Sequence, residues 1–385
     1  MADYNFVIAG GGAAGLHLGR ALVEAGFEDK RVLLVDRDNK AKNDRTWCFW
    51  SSEKTPFDHL IHRKWQKVGF FDYGEELSID ISPMNYRMFR GEDFYRDSYA
   101  LLEEKPNVTR LVGTVDRIED GEEFATVVVD GVPYTAEWVF DSLFIPRDFT
   151  VDETNYHFLK QHFLGWFIES EKPVFDPDRA TLFDFRTPQH ETCRFVYILP
   201  FSETEALVEY TLFSHDLLSE EEYTAGLTEY IDKVVQPGNY KVVETETGII
   251  PMTDYPFPRR AGKRILLTGT KGGRVKASTG FAFHRIYRDS LAIADSLRRV
   301  GHPFDLPKTP GRFALLDSIL LNVLYRRGDL SHEVFRRLFK KNPIDRLLRF
   351  LNEEVSLWET VQIMATVPWG PFIAAWFRLK ILGRP

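Results

Sequence analysis

Three glycines, Gly10, Gly12 and Gly15, stand in G-x-G-x-x-G spacing near the start of the chain, and Asp36 follows about 20 residues later. In such a turn one glycine permits a tight bend, one lets the backbone approach a pyrophosphate, and one lets a helix pack closely on a strand. The phosphates then rest on exposed amides at the positive end of the new helix, which here opens with Ala13 and Ala14. An acid closing the next strand accepts the ribose hydroxyls of an adenosine, and Asp36 holds that place. The chemistry is dinucleotide binding. A second glycine-bearing segment, Gly269-Thr270-Lys271-Gly272-Gly273, leads to Ser278-Thr279-Gly280. A helix read from there to Arg299 presents amides and a dipole that favour the negative charge of a reduced flavin ring. Arg45, within NDRTWCFW (Asn43–Trp50), is placed to reach a phosphate or ribose, and its aromatic neighbours to wall a cofactor or substrate cavity.

The elements that must hold these residues follow from the apolar pattern. Phe6–Ala9 and Arg31–Val35 read as buried parallel strands flanking a small-residue helix, Ala13 to Ala25, that stops at Gly26. Lys64–Phe71 and Glu76–Ile81 read as strands, and the segment from Tyr86 opens a helix running through Leu102. Val108–Val112, Thr114–Glu119, Ala125–Val129 and Thr135–Val139 read as one small antiparallel sheet, with turns at Gly121 and Asp130-Gly131. The last of these delivers Asp141, either near the cofactor or capping a turn. A second run of aromatic-rich strands covers Gln161–Glu169, Ala180–Phe185, Thr192–Pro200 and Ala206–Phe213, a candidate cover for the site. Glu220–Val235 then reads as a crossover helix, Lys241–Ile250 as a strand, Pro251-Met252-Thr253 as a turn and Arg264–Gly269 as a further buried strand.

Composition bounds the function. With 44% hydrophobic and 28% charged residues in 385, the chain is an ordinary soluble globular protein with ample core. Two cysteines, Cys48 and Cys193, make neither a disulfide framework nor a zinc site, which fits a reducing cytoplasm. No signal peptide fits before the first strand, and no metal site is expected. The longest uncharged apolar run, Ile363–Phe377, is interrupted by Pro368 and Pro371, so no transmembrane helix is expected. From Lys308 onward there are 13 Lys and Arg against 7 Asp and Glu, within a chain of net charge −8. That basic, apolar tail is suited equally to an anionic membrane surface and to an ordinary packed helical region. Nucleic acid is excluded by the acidic balance and the lack of any binding motif.

Taken together and in order, Gly10–Gly15 with Asp36, NDRTWCFW, YRMFRGEDFY, QHFLGW, LPFS with LVEYT (Leu199–Thr211), ETGIIPM (Glu246–Met252) and ASTGFAF (Ala277–Phe283) resemble the bacterial lycopene β-cyclases. The resemblance covers roughly residues 4 to 300, and NDRTWCFW and LVEYT are its specific parts. It implies an α/β fold with a Rossmann-type FAD-binding domain of the glutathione-reductase and hydroxybenzoate-hydroxylase kind, an interleaved β-sheet substrate domain and a helical C-terminal region. The expected divisions are 1–60, 85–145 and 255–302 for FAD, 61–84 and 146–254 for the substrate sheet, and 303–385 for the helical C-terminal region, the candidate membrane-facing part. Two departures touch the cofactor: Thr270 follows Gly269 where relatives carry Asp, and Lys276-Ala277 stands where many carry proline.

The resemblance further implies cyclisation of linear lycopene, via γ-carotene, to β-carotene, with FAD in its reduced form and NAD(P)H as reductant. The net reaction is an isomerisation begun by protonating an alkene, which needs a carboxyl kept neutral by an apolar setting. Glu209 matches the acid of the family motif, and Glu246 is the second candidate. Gly10, Gly12, Ala13, Ala14, Gly15, Asp36, Arg45, Gly269, Gly273, Thr279 and Gly280 are the expected cofactor contacts. Peripheral membrane association on the cytoplasmic side is expected, and the oligomeric state is left open. A flavin reductase or monooxygenase acting on a prenyl or polyene lipid is the alternative.

Overall fold

The apolar run Phe6–Ala9 is fully buried because it forms the middle of a seven-stranded sheet. The structure, a computed structural model, describes residues 1–383; residues 384–385 of the expected helical region lie outside the described residues. Strand β1 (Tyr4–Ala9) runs parallel to β2 (Val32–Asp36) on one side and to β11 (Val132–Asp141) on the other. β17 (Ile265–Leu267) also joins β11 in parallel. Beyond β2 lies β8 (Val108–Val112), again parallel. On the other side β10 (Ala125–Val129) pairs with β11 in antiparallel fashion, and β9 (Val115–Glu119) pairs in turn with β10. The expected four-stranded antiparallel sheet is therefore corrected: Val108–Val112 belongs to the nucleotide-type parallel sheet. Helices α1 (Ala13–Glu24) and α2 (Gly91–Glu103) share with α4 (Phe283–Val300) an apolar layer over one face, around Leu16, Phe94 and Ile293.

The second sheet also has seven strands, in the order β16 (Tyr240–Thr253), β12 (Phe158–Ser170), β15 (Glu205–Ser214), β14 (Cys193–Pro200), β13 (Arg179–Asp184), β5 (Lys67–Asp72) and β6 (Glu75–Asp80). Pro251 lies inside β16 rather than in a turn, which an edge strand tolerates because one row of its backbone groups has no partner. A small third sheet joins β3 (Thr46–Ser51), β7 (Asn85–Arg90) and β4 (Arg63–Trp65). Two expectations change here. Lys64–Phe71 is divided between β4 and β5 in different sheets, and Tyr86–Arg90 is strand, the helix starting only at Gly91. Alternation explains the latter: Tyr86 and Met88 face the core of an antiparallel pair with β3.

Helix α3 (Glu220–Tyr230), started by a Ser219–Glu222 capping box, covers one face of the second sheet through Leu227 and Tyr230. The other face is covered by the three-stranded sheet and by the C-terminal helices α5 (Gly311–Arg326), α6 (Ser331–Lys341), α7 (Ile344–Leu351), α8 (Leu357–Met364) and α9 (Trp369–Phe377). Phe183 stacks on Phe335 and Phe70 on Phe339, with centroids 4.6 and 5.7 Å apart. A buried ion cluster joins this layer to the second glycine segment. Lys276 Nζ donates to Asp317 Oδ1 of α5 at 2.9 Å and to Glu353 Oε1 at 3.0 Å. Lysine thus occupies the position where the sequence departs from proline.

Candidate active site

β-pairing decides which side chains meet. Tyr197, Glu209, Gly165 and Glu246 lie directly opposite one another on β14, β15, β12 and β16. They form one row across the sheet, on the face covered by the three-stranded sheet. Glycine in the middle leaves the two carboxyls without a side chain between them; a Cβ at Gly165 would sit 3.0 Å from Leu207 Cδ1 and 3.5 Å from Glu209 Cγ. Both glutamates are buried, at 8% and 7% exposure. Thr211, two residues along the same strand and so on the same face, donates its hydroxyl to Glu209 Oε1 at 2.7 Å. Glu246 accepts from the Thr46 amide at 2.8 Å and the Thr46 hydroxyl at 2.6 Å.

These surroundings separate the two acids. Burial, and then repulsion from Glu246, push Glu209 up to about 8, with the Thr211 hydroxyl pulling back. Burial also raises Glu246, but its two Thr46 bonds and the charge of Arg45 favour its ion. Glu209 is thus the carboxyl held protonated near neutrality, while Glu246 has the hydrogen bonds and the nearby cation that oppose its own rise. Beyond Glu209, the Tyr197 and Tyr86 hydroxyls are 2.8 Å apart, and both lie against Cys48, whose thiol burial pushes up to about 12. The row therefore offers a neutral acid, a second hydrogen-bonded carboxyl and electron-rich rings in an apolar enclosure.

The segment NDRTWCFW is stitched to β16 by charge. Asn43 Nδ2 and Arg90 NH2 both donate to Glu244, at 2.9 and 2.7 Å, and Thr46 holds Glu246. Arg45 pairs with Asp44 at 2.9 Å and its guanidinium lies 5.5 Å from the Trp47 ring. Thr46, Thr211, Tyr86, Tyr197 and Gly165 were not singled out from sequence. Only Thr211 carried a local signal, its two-residue spacing from Glu209; the others need the pairing register.

The glycine residues build two loops that touch. Gly10 has φ +108°, and a Cβ on Gly15 would lie 1.9 Å from the Gly10 carbonyl, so helix and turn are in direct contact. Gly12 is the N-cap of α1, and a Cβ there would meet nothing within 4 Å. No acidic residue and no side-chain cap occupy that helix start. Asp36 closes β2 with Oδ2 on the Gly11 amide at 2.5 Å. Gly269, φ +58°, brings the second loop against Ala14, where a Cβ would come within 2.8 Å of the Ala14 Cβ. Lys271 beside it pairs with Asp141 at 2.5 Å. Gly273 instead packs on Phe257. The helix expected from Ser278 is corrected: α4 starts at Phe283, and Ser278-Thr279-Gly280 is a turn, with Gly280 at φ +72°.

Gly280 faces the second sheet, where a Cβ would meet Gln161 Oε1 and Ile250. Gln161 and Ile250 pair with each other and share a face with Gly165 and Glu246, four residues along, or about 13 Å. Gln161 Oε1, Thr279 Oγ1, Trp47 Nε1 and Trp50 Nε1 are all buried without a hydrogen-bond partner. A flavin-containing dinucleotide fits these features: open space at a helix N-terminus for its phosphates, and orphaned polar atoms between loop and sheet for the edge of its ring. Among the described residues no cluster of three or more His, Cys, Asp or Glu is arranged to hold a metal.

Parallel nucleotide sheet, glycine loops and a second sheet over them define the class: the fold is that of flavoprotein oxidoreductases and halogenases. Solved structures similar over nearly their whole length include a geranylgeranyl bacteriochlorophyll reductase-like protein from Thermoplasma acidophilum (TM-score 0.64, 12% identity, 96% of this chain and 98% of that one). A flavin-dependent brominase is another (TM-score 0.57, 13% identity, 98% of each chain). At such identities the likeness is one of fold. Sequence is more specific: residues 5–376 match the family described as Lycopene cyclase protein, and the chain belongs to that family. It is 24% identical to a lycopene beta-cyclase from Pseudescherichia vulneris over 401 residues, covering 97% of this chain and 96% of the relative. A lycopene beta-cyclase from Paracoccus sp. (strain N81106 / MBIC 01143) is 28% identical over 264 residues, 65% and 61% of the two chains.

Proposed function

We propose that this enzyme closes the ends of linear lycopene, or a closely related polyene, into β-ionone rings, passing through γ-carotene to β-carotene. The observation that carries this is Glu209: a buried carboxyl pushed up to about 8 on a strand row that also holds Glu246 and Tyr197. Its neutral form donates a proton to the terminal alkene, giving a tertiary cation. Attack by the next double bond closes the ring, and loss of a ring proton to the carboxylate at Glu209 restores the acid. One proton enters and one leaves, and no electrons are transferred overall. Glu246 and the Tyr86 and Tyr197 rings stabilise the cation by charge and π-density.

FAD in its reduced form, loaded by NAD(P)H, would supply an electron-dense face to the same cation. Gly10, Gly12, Ala13, Ala14, Gly15 and Asp36 would hold its adenosine diphosphate end, and Gly269, Gly273, Thr279 and Gly280 the flavin end, with Arg45 between the nucleotide and Glu246. The division into 1–60, 85–145 and 255–302 for cofactor and 61–84 and 146–254 for substrate accompanies this proposal. The enzyme acts at the cytoplasmic face of a membrane that holds its substrate; no helix among the described residues is long and apolar enough to cross one. The test is anaerobic incubation with lycopene, FAD and a catalytic amount of reductant. The expected product has the mass of lycopene. A gain of two hydrogens per turnover, with reductant consumed, would replace the cyclase by a polyene reductase.

A further inference from the structure

The apolar residues of α9 divide between two faces. Phe372 and Ala375 turn inward onto the core, while Trp369, Ile373, Trp376 and Phe377 recur at helical spacing on the outside and are 45–63% exposed. On α8, Leu357 and Trp358 are more than 60% exposed. Between Leu357 and Phe377 the only charged side chain is Glu359, and Arg349 already pairs with it at 2.6 Å. Such a charge-free helix with large rings facing outward is anomalous on a surface bathed by water alone.

We propose that α8 and α9 form a face that lies in the headgroup region of an anionic phospholipid bilayer. Tryptophan has the amphipathic ring that settles at that depth, and Trp358, Trp369 and Trp376 supply three. Charge agrees. The chain is acidic at −8, but from Lys308 onward basic residues exceed acidic by six, and exposed Lys380 lies in the turn that follows α9. A second copy seated on this face would bring one positive region against another, which disfavours self-association. The core under α9 supports the same occupant. Phe372 and Leu379 pack on the same apolar cluster as Tyr86 and Tyr197, so the face and the row of carboxyls share one continuous core. This rests on the polyene proposal only for its purpose, and not for the binding itself.

The test uses flotation of the full-length, flavin-loaded protein with vesicles of phosphatidylcholine alone or mixed with phosphatidylglycerol. Wild type is expected to float with the mixed vesicles, and a Trp369→Ser, Trp376→Ser, Phe377→Ser variant to lose at least about tenfold in partitioning. Lys380→Glu should weaken binding to the mixed vesicles alone and serves as a variant with an unaltered apolar face. Both variants should cyclise detergent-dispersed lycopene at the wild-type rate, so absence of cyclisation in every protein counts against the enzyme assignment and leaves the face untouched. Equal flotation of wild type and triple variant overturns the proposal. So does a wild-type dimer that the triple variant converts to monomer with no vesicle binding in either.

Discussion

Glu209 ties acidity to stability, and the sign can be worked out. Its folded-state pKa, about 8, lies above the usual 4.5, so between those values the native state holds a proton that the unfolded chain releases. Stability from this group is therefore fully present below about pH 4.5 and declines as pH rises to about 8, by roughly 5 kcal/mol at most. Glu209→Gln should remove that slope, seen as urea midpoints that part from wild type progressively between about pH 4.5 and 8, while cyclisation falls by a factor of about 10²–10⁴ with flavin retained. A variant that still turns over normally would remove Glu209 from the mechanism. Because the Thr211 hydroxyl lowers the Glu209 pKa, Thr211→Val should move the alkaline limb of the pH–rate profile upward while turnover persists. Glu209 was legible through its motif; its partners were not. Thr46 and Glu246 are 200 residues apart, and no local pattern announces a bond at that distance.

At the scale of elements, the glycines separate folding from binding. Gly12 has φ −81° and open space where a Cβ would stand, so Gly12→Val should fold with near-normal stability. The same side chain would fill the approach to the helix amides, so the purified protein should be colourless, as absorbance spectra will show. Gly165→Ala is the contrary case. Its Cβ would press on Leu207 and approach Glu209, so flavin should remain while cyclisation drops. The β1–α1–β2 unit was readable because strand, turn, helix and acid are contiguous and each has its own chemistry. β8 was misplaced for the opposite reason. Its apolar run is the same whether it pairs with β2 or β9, and the choice is made by a parallel contact 76 residues away, Val32 to Val108. Tyr86–Arg90 runs straight into α2, a continuity that suggests helix, and its pairing with β3 overrides that continuity.

For the whole molecule, the C-terminal helices complete the second sheet's core, and Lys276 is their ionic link to the second glycine segment. Its ammonium faces Asp317 and Glu353 with almost no solvent access. Lys276→Met should leave two buried carboxylates short of a cation and cost about 3–5 kcal/mol, measured by chemical denaturation. Arg285, which also pairs with Glu353 at 2.7 Å, will soften the loss on that side alone. None of this was visible beforehand: the lysine read only as a departure from a proline position, since its carboxylate partners come from α5 and from the turn after α7.

The single Tyr197–Glu209–Gly165–Glu246 row has a consequence for any symmetrical chain molecule. With one proton donor available, a polyene with two equivalent termini has to be finished one terminus at a time, and the half-finished molecule must let go, reverse end for end and come back. On the proposed reaction, the balance between release and return of that intermediate would set the ratio of singly to doubly ringed product.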